Sequence, residues 1–467
     1  MKTGNATIRP RPLDLSTVIL ANCGGVFNSE YLTRLSGYYS DFPTFIEGAE
    51  MTVVDITDTD PFVHASAQLI CDPYPFYEQI RQQGNIVWSS GAGKRWIAVG
   101  YKANVTMLND SRFGVEASEE SWEEFSTLRH SPQHADLITG LTKFMLAQDP
   151  PQHTRVRKLV NKAFTRAEIA EMSHKIEGII ANLLDRVVES GKMDLIADFA
   201  FPLPLTIICG VLGFPESDHE SLKRWTHAIV PTVEPELSDE ALEAGSKAAK
   251  EMFDYFRAQL QDRRQTPRTD LLSALAQAEE EGDTLSLDEI LANLLLLVIA
   301  GHETTVNLIA NGTLALIQHP GEMEKLRNNQ DLIPSAIEEF LRFQSPLQIT
   351  ERYVKEDLEI EGQSLKKGDR VSMILGAANR DPQQFENPHT LNIERHPNKH
   401  LAFGQGIHFC VGAPLARFEG KLAFEQLLSR LKNIRLDVDQ VQYKPTMGFR
   451  GLTALPITFD AQVPAIK

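Results

Sequence analysis

The segment from about 287 to 318 constrains the fold more than any other, because it is too apolar for the surface and too long for an ordinary helix. Ser286 and Glu289 have the spacing of a capping box, and Pro320 is the next stop signal. A helix from about 287 to 318 would be roughly 48 Å long at about 1.5 Å per residue. The sequence therefore predicts a domain built around one long central helix.

The middle of this helix carries polar residues directly after an apolar run. In LLLLVIAGHETTVN (294–307), the apolar stretch is followed at once by Gly301, His302, Glu303 and two threonines. A glutamate is rarely buried without a partner, since the loss of its hydration is costly. Glycine and threonine also weaken the helix. The interruption predicts either access to solvent or a chemical role.

Composition excludes several functional classes. The 467 residues include 46 Lys and Arg against 63 Asp and Glu, a net charge of −17, which argues against a general nucleic-acid-binding protein. The four cysteines are widely separated without a CxxC pair, which is typical of a reducing compartment. We expect a cytoplasmic protein, because no apolar run reaches the roughly 18 residues of a membrane span and the apolar stretch Leu15 to Ala21 is short for an export signal.

The chain divides into two parts by its residue pattern. Residues 1–65 have no clear hydrophobic period and are predicted to be an N-terminal extension of unknown order, whereas 66–467 are predicted to form one large domain. Two alternating stretches predict a small β region in which Trp88 faces Trp96. Helical periodicity dominates 150–345, and short strands follow. The predicted fold class is therefore mainly α with small β-sheets.

A glycine-rich loop near the C-terminus contains a single cysteine. FGQGIHFCVGAPLAR (403–417) places Cys410 between Gly406 and Gly412, before a helix predicted to begin near Ala413. Glycines let a backbone approach a ligand closely, and a helix N-terminus favours an anion, so a thiolate is favoured at Cys410. A buried, inert cysteine in a structural turn is the common alternative. The loop alone leaves both interpretations open.

Two charged pairs lie at helical spacing in other segments. EEFLRF places Glu339 and Arg342 three residues apart, and DPPQHTRVRKLV places His153 and Arg157 four residues apart. Taken alone, each pair is better explained as an ordinary ion pair or a solvated face than as part of a functional site. Together with the cysteine loop and the interrupted helix, they form a known pattern.

Four motifs in this order, DPPQHTR, AGHETT, EEFLR and FGQGIHFCVG, resemble the cytochrome P-450 family of haem-thiolate monooxygenases, in its soluble bacterial branch. The resemblance covers about 72–467. It implies the cytochrome P-450 fold, with 66–467 as the haem domain, and haem b (iron protoporphyrin IX) as the cofactor. It also implies a monooxygenase that inserts one atom of O2 into a mostly apolar small molecule, because thiolate ligation favours O–O cleavage.

The resemblance also implies roles for individual residues. Cys410 would be the axial ligand of the haem iron, with Phe403 packed near the sulfur. The other positions that would hold or contact the cofactor are His153, Arg157, Ala300, Gly301, Arg352, His408 and Gly412. The cationic and donor side chains among them suit the two haem propionates. The pair Glu339 and Arg342, with Arg395, would brace the core around the loop.

The interrupted helix would supply the catalytic residues. The resemblance implies that Gly301 lets oxygen approach, that Thr304 places a hydroxyl beside it, and that Glu303 relays protons from solvent. The alternative is that Thr304 bonds a carbonyl one turn back and Glu303 faces water. Residue 306 is Val, so an HExxH zinc motif is absent. The predicted substrate-pocket residues are Leu297, His302, Gln348 and Ile349.

The expected partners follow from the same resemblance. Since only 57 residues follow Cys410, electrons are expected from a separate ferredoxin or flavodoxin with its reductase. A basic patch of Arg155, Lys158, Lys162 and Arg166 would dock an acidic ferredoxin, although a solvated basic face is an equal alternative.

The substrate is expected to be a small molecule, by family analogy a polyketide or another secondary metabolite, used with O2. No nucleic acid and no membrane are expected as partners. A peroxide-driven peroxygenase and a non-catalytic haem sensor or recruitment protein of the same fold are the alternative functions. His302 stands where the family often has a smaller or apolar residue, so its ring would narrow the pocket or contact substrate.

Overall fold

A computed structural model describes residues 67–91, 94–116, 131–233, 238–278 and 285–461. All of them belong to the unit Val53–Lys467. The predicted extension, 1–65, lies outside the described residues, so its order stays a prediction.

Helices make up most of the described chain, as predicted. In chain order they are α1 (Ala67–Cys71), α2 (Tyr74–Gln83), α3 (Tyr101–Asn109), α4 (Ala135–Lys143), α5 (Gln152–Val160), α6 (Arg166–Glu171), α7 (Ser173–Asp185), α8 (Pro202–Leu212), α9 (His219–Ile229), α10 (Asp239–Gln265), α11 (Leu271–Ala278), α12 (Leu287–Gln318), α13 (Pro320–Asn328), α14 (Ile333–Phe343), α15 (Leu375–Ala378) and α16 (Ala413–Arg430). A short π-helical turn, Ile196–Ala200, leads into α8.

The strands of the described residues form small sheets. They are β1 (Ile86–Ser89), β2 (Arg95–Ala98), β3 (Phe113–Gly114), β4 (Lys192–Asp194), β5 (Ile349–Val354), β6 (Leu358–Ile360), β7 (Gln363–Leu365), β8 (Arg370–Ile374), β9 (Leu431–Leu436) and β10 (Pro456–Ala461). The sheet orders are β1-β2-β8-β5-β3, β4-β10-β9 and β6-β7. The parallel pair β2 and β8 joins the N-terminal hairpin to the C-terminal half of the chain.

The hairpin of β1 and β2 has the predicted tryptophan pair. Trp88 is directly opposite Trp96 in the register, and their ring centroids are 5.2 Å apart in an edge-on arrangement. Such aromatic cross-strand pairs stabilise a hairpin and fix its register.

The central helix, α12, has the predicted bounds and the complete capping box of Ser286 and Glu289. It packs against α4, α8, α14 and α16, which explains why it is apolar on nearly every face. By length and composition it could span a membrane, which corrects the expectation that the chain has no such segment. However, 78% of its most apolar window is buried inside the protein, as expected for a core helix.

Candidate active site

The cysteine loop joins a single 3₁₀ turn, Gly406–His408, to the start of α16. Gly404 and Gly406 have φ angles of +66° and +68°, a conformation that favours glycine. A Cβ on Gly406 would lie 2.3 Å from the Leu108 carbonyl oxygen, so this glycine also lets the loop pack on α3. The backbone N–H of Cys410 donates to the Phe403 carbonyl at 2.9 Å, which closes the loop.

The surroundings of Cys410 have opposing effects on the pKa of its thiol. Burial raises its pKa, while the backbone N–H groups of Gly412 and Ala413 and the nearby Arg157 guanidinium act to lower it. Burial is the larger effect, so these groups by themselves leave the pKa of the thiol raised, and the thiolate stays a prediction. A thiolate at this position needs a further positive charge at the sulfur.

His153 of α5 and His408 of the cysteine loop lie together, with ring centroids 4.3 Å apart. None of their four ring nitrogens has a hydrogen-bond partner within the described chain. Burial, and then the positive charge of Arg352, lowers the pKa of His408 to about 3. Burial and the neighbouring Arg157 also lower the pKa of His153. Both rings are therefore neutral at neutral pH unless an anion joins them.

Two arginines belong to the same cluster. Arg352, on the inner strand β5, is 5% exposed and donates to the Thr350 hydroxyl at 3.2 Å and the Glu351 carbonyl at 2.7 Å. Arg157 donates to the Phe409 carbonyl. Among the described residues no carboxylate forms an ion pair with either arginine. The four predicted propionate-binding side chains are thus close together. Asp149 is near enough to act on His153, Arg352 and His408, but this carboxylate is already paired with Lys355 at 2.9 Å.

In the interrupted part of α12, the Thr304 hydroxyl and Gly301 both make contacts within the protein. The Thr304 hydroxyl donates to the Ala300 carbonyl at 2.7 Å, which is the alternative considered for Thr304. A Cβ on Gly301 would lie 3.2 Å from the Ile208 side chain of α8. The glycine therefore permits close helix packing, a use that differs from the predicted approach of oxygen. Leu297 is 4% exposed and belongs to the main apolar core.

Glu303 is buried and paired, so the alternative that it faces water is wrong. It is 2% exposed, and its Oε1 accepts hydrogen bonds from Lys444 Nζ at 2.5 Å and from Asn307 Nδ2 at 3.3 Å. The lysine is 141 residues away in sequence, so helical spacing gives no signal for this contact. The unfavourable burial of Glu303 is thereby offset by a cation.

The remaining predicted pocket residues lie in three different environments. The His302 ring packs edge-on against Phe201, with centroids 4.1 Å apart, and burial lowers its pKa to about 4. Gln348 is buried, accepts from the Tyr77 hydroxyl at 3.4 Å and lines a cavity near the α1–α2 region. Ile349 pairs with residue 374 and packs in an apolar cluster separate from that of Leu297.

Glu339 and Arg342 form the predicted pair and are both fully buried. Arg342 donates to the two Glu339 oxygens at 2.7 and 2.8 Å. Arg395 Nε also contacts this carboxylate at 3.1 Å, and the Asn392 N–H donates to it at 2.9 Å. The remaining donors of Arg342 bind the Asn379, Pro388 and Thr390 carbonyls. The cluster thus joins α14 to the irregular chain that precedes the cysteine loop.

The neighbouring carboxylate, Glu338, was not among the site residues predicted from the sequence. Burial raises its pKa, but hydrogen bonds from Arg417 at 2.6 Å and His400 at 3.1 Å bring it down to about 2. The Arg417 guanidinium also lies 4.4 Å from the centre of the Phe403 ring. This second anchor ties α14 and α16 together at the cysteine loop. The doubled glutamate in EEFLR was its only sequence signal.

Comparison with known proteins decides the family. The family model of cytochrome P-450 matches residues 96–458. The chain belongs to the cytochrome P-450 family. It is 39% identical over 401 residues to a biotin biosynthesis cytochrome P-450 of Bacillus subtilis, covering 85% of this chain and 98% of that relative.

Two further comparisons agree. This P-450 is 42% identical over 370 residues to the polyketide biosynthesis cytochrome P-450 PksS of Bacillus subtilis, covering 78% of this chain and 89% of the relative. It also matches a crystal structure of the P-450 BioI in complex with a hexadec-9Z-enoic acid ligated acyl carrier protein. That match has a TM-score of 0.79 and 39% identity, and it covers 84% of this chain and all of the other.

The cofactor of this P-450 is haem, and the enzyme is a monooxygenase that uses O2, a small-molecule substrate and redox partners. The observed donors fit the cofactor. Two histidine rings without partners and two arginines without carboxylates match the two propionates of haem in charge and number. The free thiol of Cys410 is a soft ligand suited to iron.

The predicted docking patch is smaller than expected. Arg155 is 30% exposed and forms an ion pair with Glu289 of α12, so it is not part of a free basic surface. Lys158 and Lys162 are exposed. The Arg166 side chain lies outside the described part of the chain.

Proposed function

We propose that this P-450 is a cytoplasmic haem-thiolate monooxygenase, with 66–467 as its haem domain and Cys410 as the iron ligand. One observation carries the proposal: the thiol receives two backbone N–H groups next to two buried histidine rings that have no hydrogen-bond partner among the described residues. The cluster would hold the propionates through His153, Arg157, Arg352 and His408. Iron at the sulfur would supply the positive charge that a buried thiolate requires.

The substrate proposed is a mostly apolar small molecule of secondary metabolism. Leu297 and Ala300 would form the apolar wall on α12, and Gln348 would provide a polar contact. The relatives named above act in polyketide and biotin biosynthesis, and one is bound to an acylated carrier protein. These names support a polyketide or an acyl chain, free or attached to a carrier.

Electrons would come from a separate ferredoxin or flavodoxin with its reductase. Lys158 and Lys162 are the exposed cations of the predicted patch, and they would steer an acidic protein towards the cysteine-loop side. Changing both to Glu should slow reduction and flatten its dependence on salt. Reduction with unchanged rate and salt dependence would exclude this docking surface.

Proton delivery is proposed for Thr304 and Glu303. When bound, haem supplies the activation of O2, and the chain must bring protons into a pocket kept dry by apolar residues. The Thr304 hydroxyl would release the Ala300 carbonyl to donate a proton, and Glu303 would resupply it from solvent.

The test is turnover with isotopically labelled O2. Substrates are first selected by the spin-state shift of the haem Soret band in the ferric protein. With ferredoxin, reductase and reductant, one labelled oxygen atom should enter the product. Product formation from peroxide alone, with none from O2 and reductant, would contradict the proposal and support a peroxygenase.

A further inference from the structure

The C-terminal loop, residues 443–452, is clasped onto one face of the central helix. Glu303, Asn307 and Asn311 recur every four residues on α12 and therefore share a face. Glu303 accepts from Lys444, and Asn311 Nδ2 donates to the Arg450 carbonyl at 2.8 Å. The loop is also paired with itself, because the Lys444 N–H donates to the Gly451 carbonyl at 2.9 Å. Three polar residues on one face of the helix thus lie against the loop.

The fit between loop and helix is close at its centre. A Cβ on Gly451 would lie 2.2 Å from Asn307 Oδ1, so a larger residue here would displace the Asn307 side chain. Asn307 also donates to the Glu303 carboxylate. The carboxylate is therefore held by Lys444 from the loop and by Asn307 from its own helix, and it is turned towards the loop.

Lys444 has a second environment. It lines a small cavity of about 20 Å³ that is partly open to solvent, together with Tyr77, Gln348, Met447 and Arg450. No acidic residue is among the described residues that line it. The donors of Arg450 are already directed to the Gln344 side chain and to the Ile70 and Cys71 carbonyls. The Lys444 ammonium, whose side chain is 25% exposed, is the cation best placed to receive an anionic ligand.

We propose that Lys444 is a positioning residue that locks Glu303 until a ligand carboxylate enters this cavity and takes over the ammonium. A carboxylate held at 2.5 Å by a lysine cannot turn towards Thr304 before that contact breaks. In the ligand-free enzyme the lock limits proton delivery and thus the wasteful consumption of reductant. The inference rests on the proposed proton-relay role of Glu303, and it adds a carboxylate to the substrate class.

The test compares Lys444→Met, Lys444→Arg and the double variant Lys444→Met/Glu303→Gln as ferric holoenzymes. Lys444→Met should raise reductant consumption without ligand about tenfold, because the loss of a hydrogen bond to a charged group changes an equilibrium constant by about tenfold or more. Lys444→Arg should behave like the wild type. The double variant should lose the increase, because no carboxylate is left to release. Lys366→Met, which breaks the exposed ion pair with Asp357, is the matched control.

A second readout does not depend on turnover. Hydrogen–deuterium exchange at the amides of 443–452 should be faster in Lys444→Met, and in the wild type it should rise when a long-chain fatty acid, but not its methyl ester, is added. Unchanged ligand-free consumption in Lys444→Met, or equal exchange with acid and ester, would overturn the lock. If instead the wild type consumes no reductant even with substrate, ferredoxin and reductase present, the proposed function fails, whatever Lys444 does.

Discussion

His153 and His408 face each other with ring centroids 4.3 Å apart, although they lie in different elements and no described residue hydrogen-bonds to either ring. Histidine rings rarely remain unsatisfied when buried. Arg157 and Arg352 add two positive charges beside them. This arrangement is costly for a protein on its own and favourable around a dianion, which supports the proposal that the haem propionates bind here.

Removal of one of these charges should speed the loss of haem. Arg352→Gln should raise the rate of haem transfer to apomyoglobin roughly 10- to 100-fold, because a hydrogen bond to a charged group contributes about 1.5 to 3 kcal/mol. Arg112→Gln, which removes an exposed cation paired with Asp110, is the control and should have no effect. Equal rates of haem transfer for Arg352→Gln and the wild type would show that Arg352 does not bind a propionate.

The buried pair beneath the cysteine loop should be essential for folding. Arg342→Ala removes the fully buried cation that donates to both Glu339 oxygens and leaves Arg395 as the remaining cation at this carboxylate among the described residues; breaking a buried pair costs about 3 to 5 kcal/mol. We expect little soluble haem-loaded protein, measured as Soret absorbance per amount of chain. Arg257→Ala is the control, because its partner Asp254 is also three residues away but the arginine side chain is 38% exposed. A normal yield for Arg342→Ala would contradict a structural role for the pair.

The local parts of this site were predictable, and the long-range parts were not. The capping box, the tryptophan pair and the Glu339–Arg342 contact depend on spacings of a few residues, or on a motif, and the structure has all three. The Lys444 contact with Glu303 joins segments 141 residues apart, and no periodicity encodes it. Arg155 likewise looked like surface charge because its partner belongs to another helix.

Glu419 of α16 makes stability depend on pH. The residue is 2% exposed, its Oε2 has no partner in the described chain, and burial raises its pKa from 4.5 to about 8. The folded state therefore favours the protonated acid, and this contribution, on the order of a few kcal/mol, is present below pH 4.5 and lost as the pH rises through about 8.

Glu419→Gln should remove this dependence, because the amide does not ionise. In urea unfolding followed by circular dichroism, the variant should gain stability relative to the wild type between about pH 5.5 and about pH 8.5. Glu425→Gln alters a carboxylate on the same helix that is 28% exposed and should show no such trend. A constant difference between Glu419→Gln and the wild type across this range would mean that Glu419 stays ionised.

The two threonines of AGHETT offer a matched comparison for proton delivery. Both hydroxyls bond a carbonyl one turn back, Thr304 at 2.7 Å and Thr305 at 3.4 Å. Thr304→Ala should divert electrons to hydrogen peroxide and lower product per reductant about tenfold or more, because a positioned proton donor contributes at least this factor. Thr305→Ala should leave the ratio unchanged. Equal ratios in both variants would assign proton delivery to another group.

The most direct test of the account is the carbon monoxide difference spectrum of reduced Cys410→Ser. An alcohol replaces the soft, electron-donating thiolate, so we predict that any haem retained lacks the long-wavelength carbonyl band that marks thiolate ligation. Cys71→Ser, a change at a cysteine at the end of α1, should keep the band. If the Cys410→Ser protein keeps the thiolate band, Cys410 is not the iron ligand and the central claim is wrong.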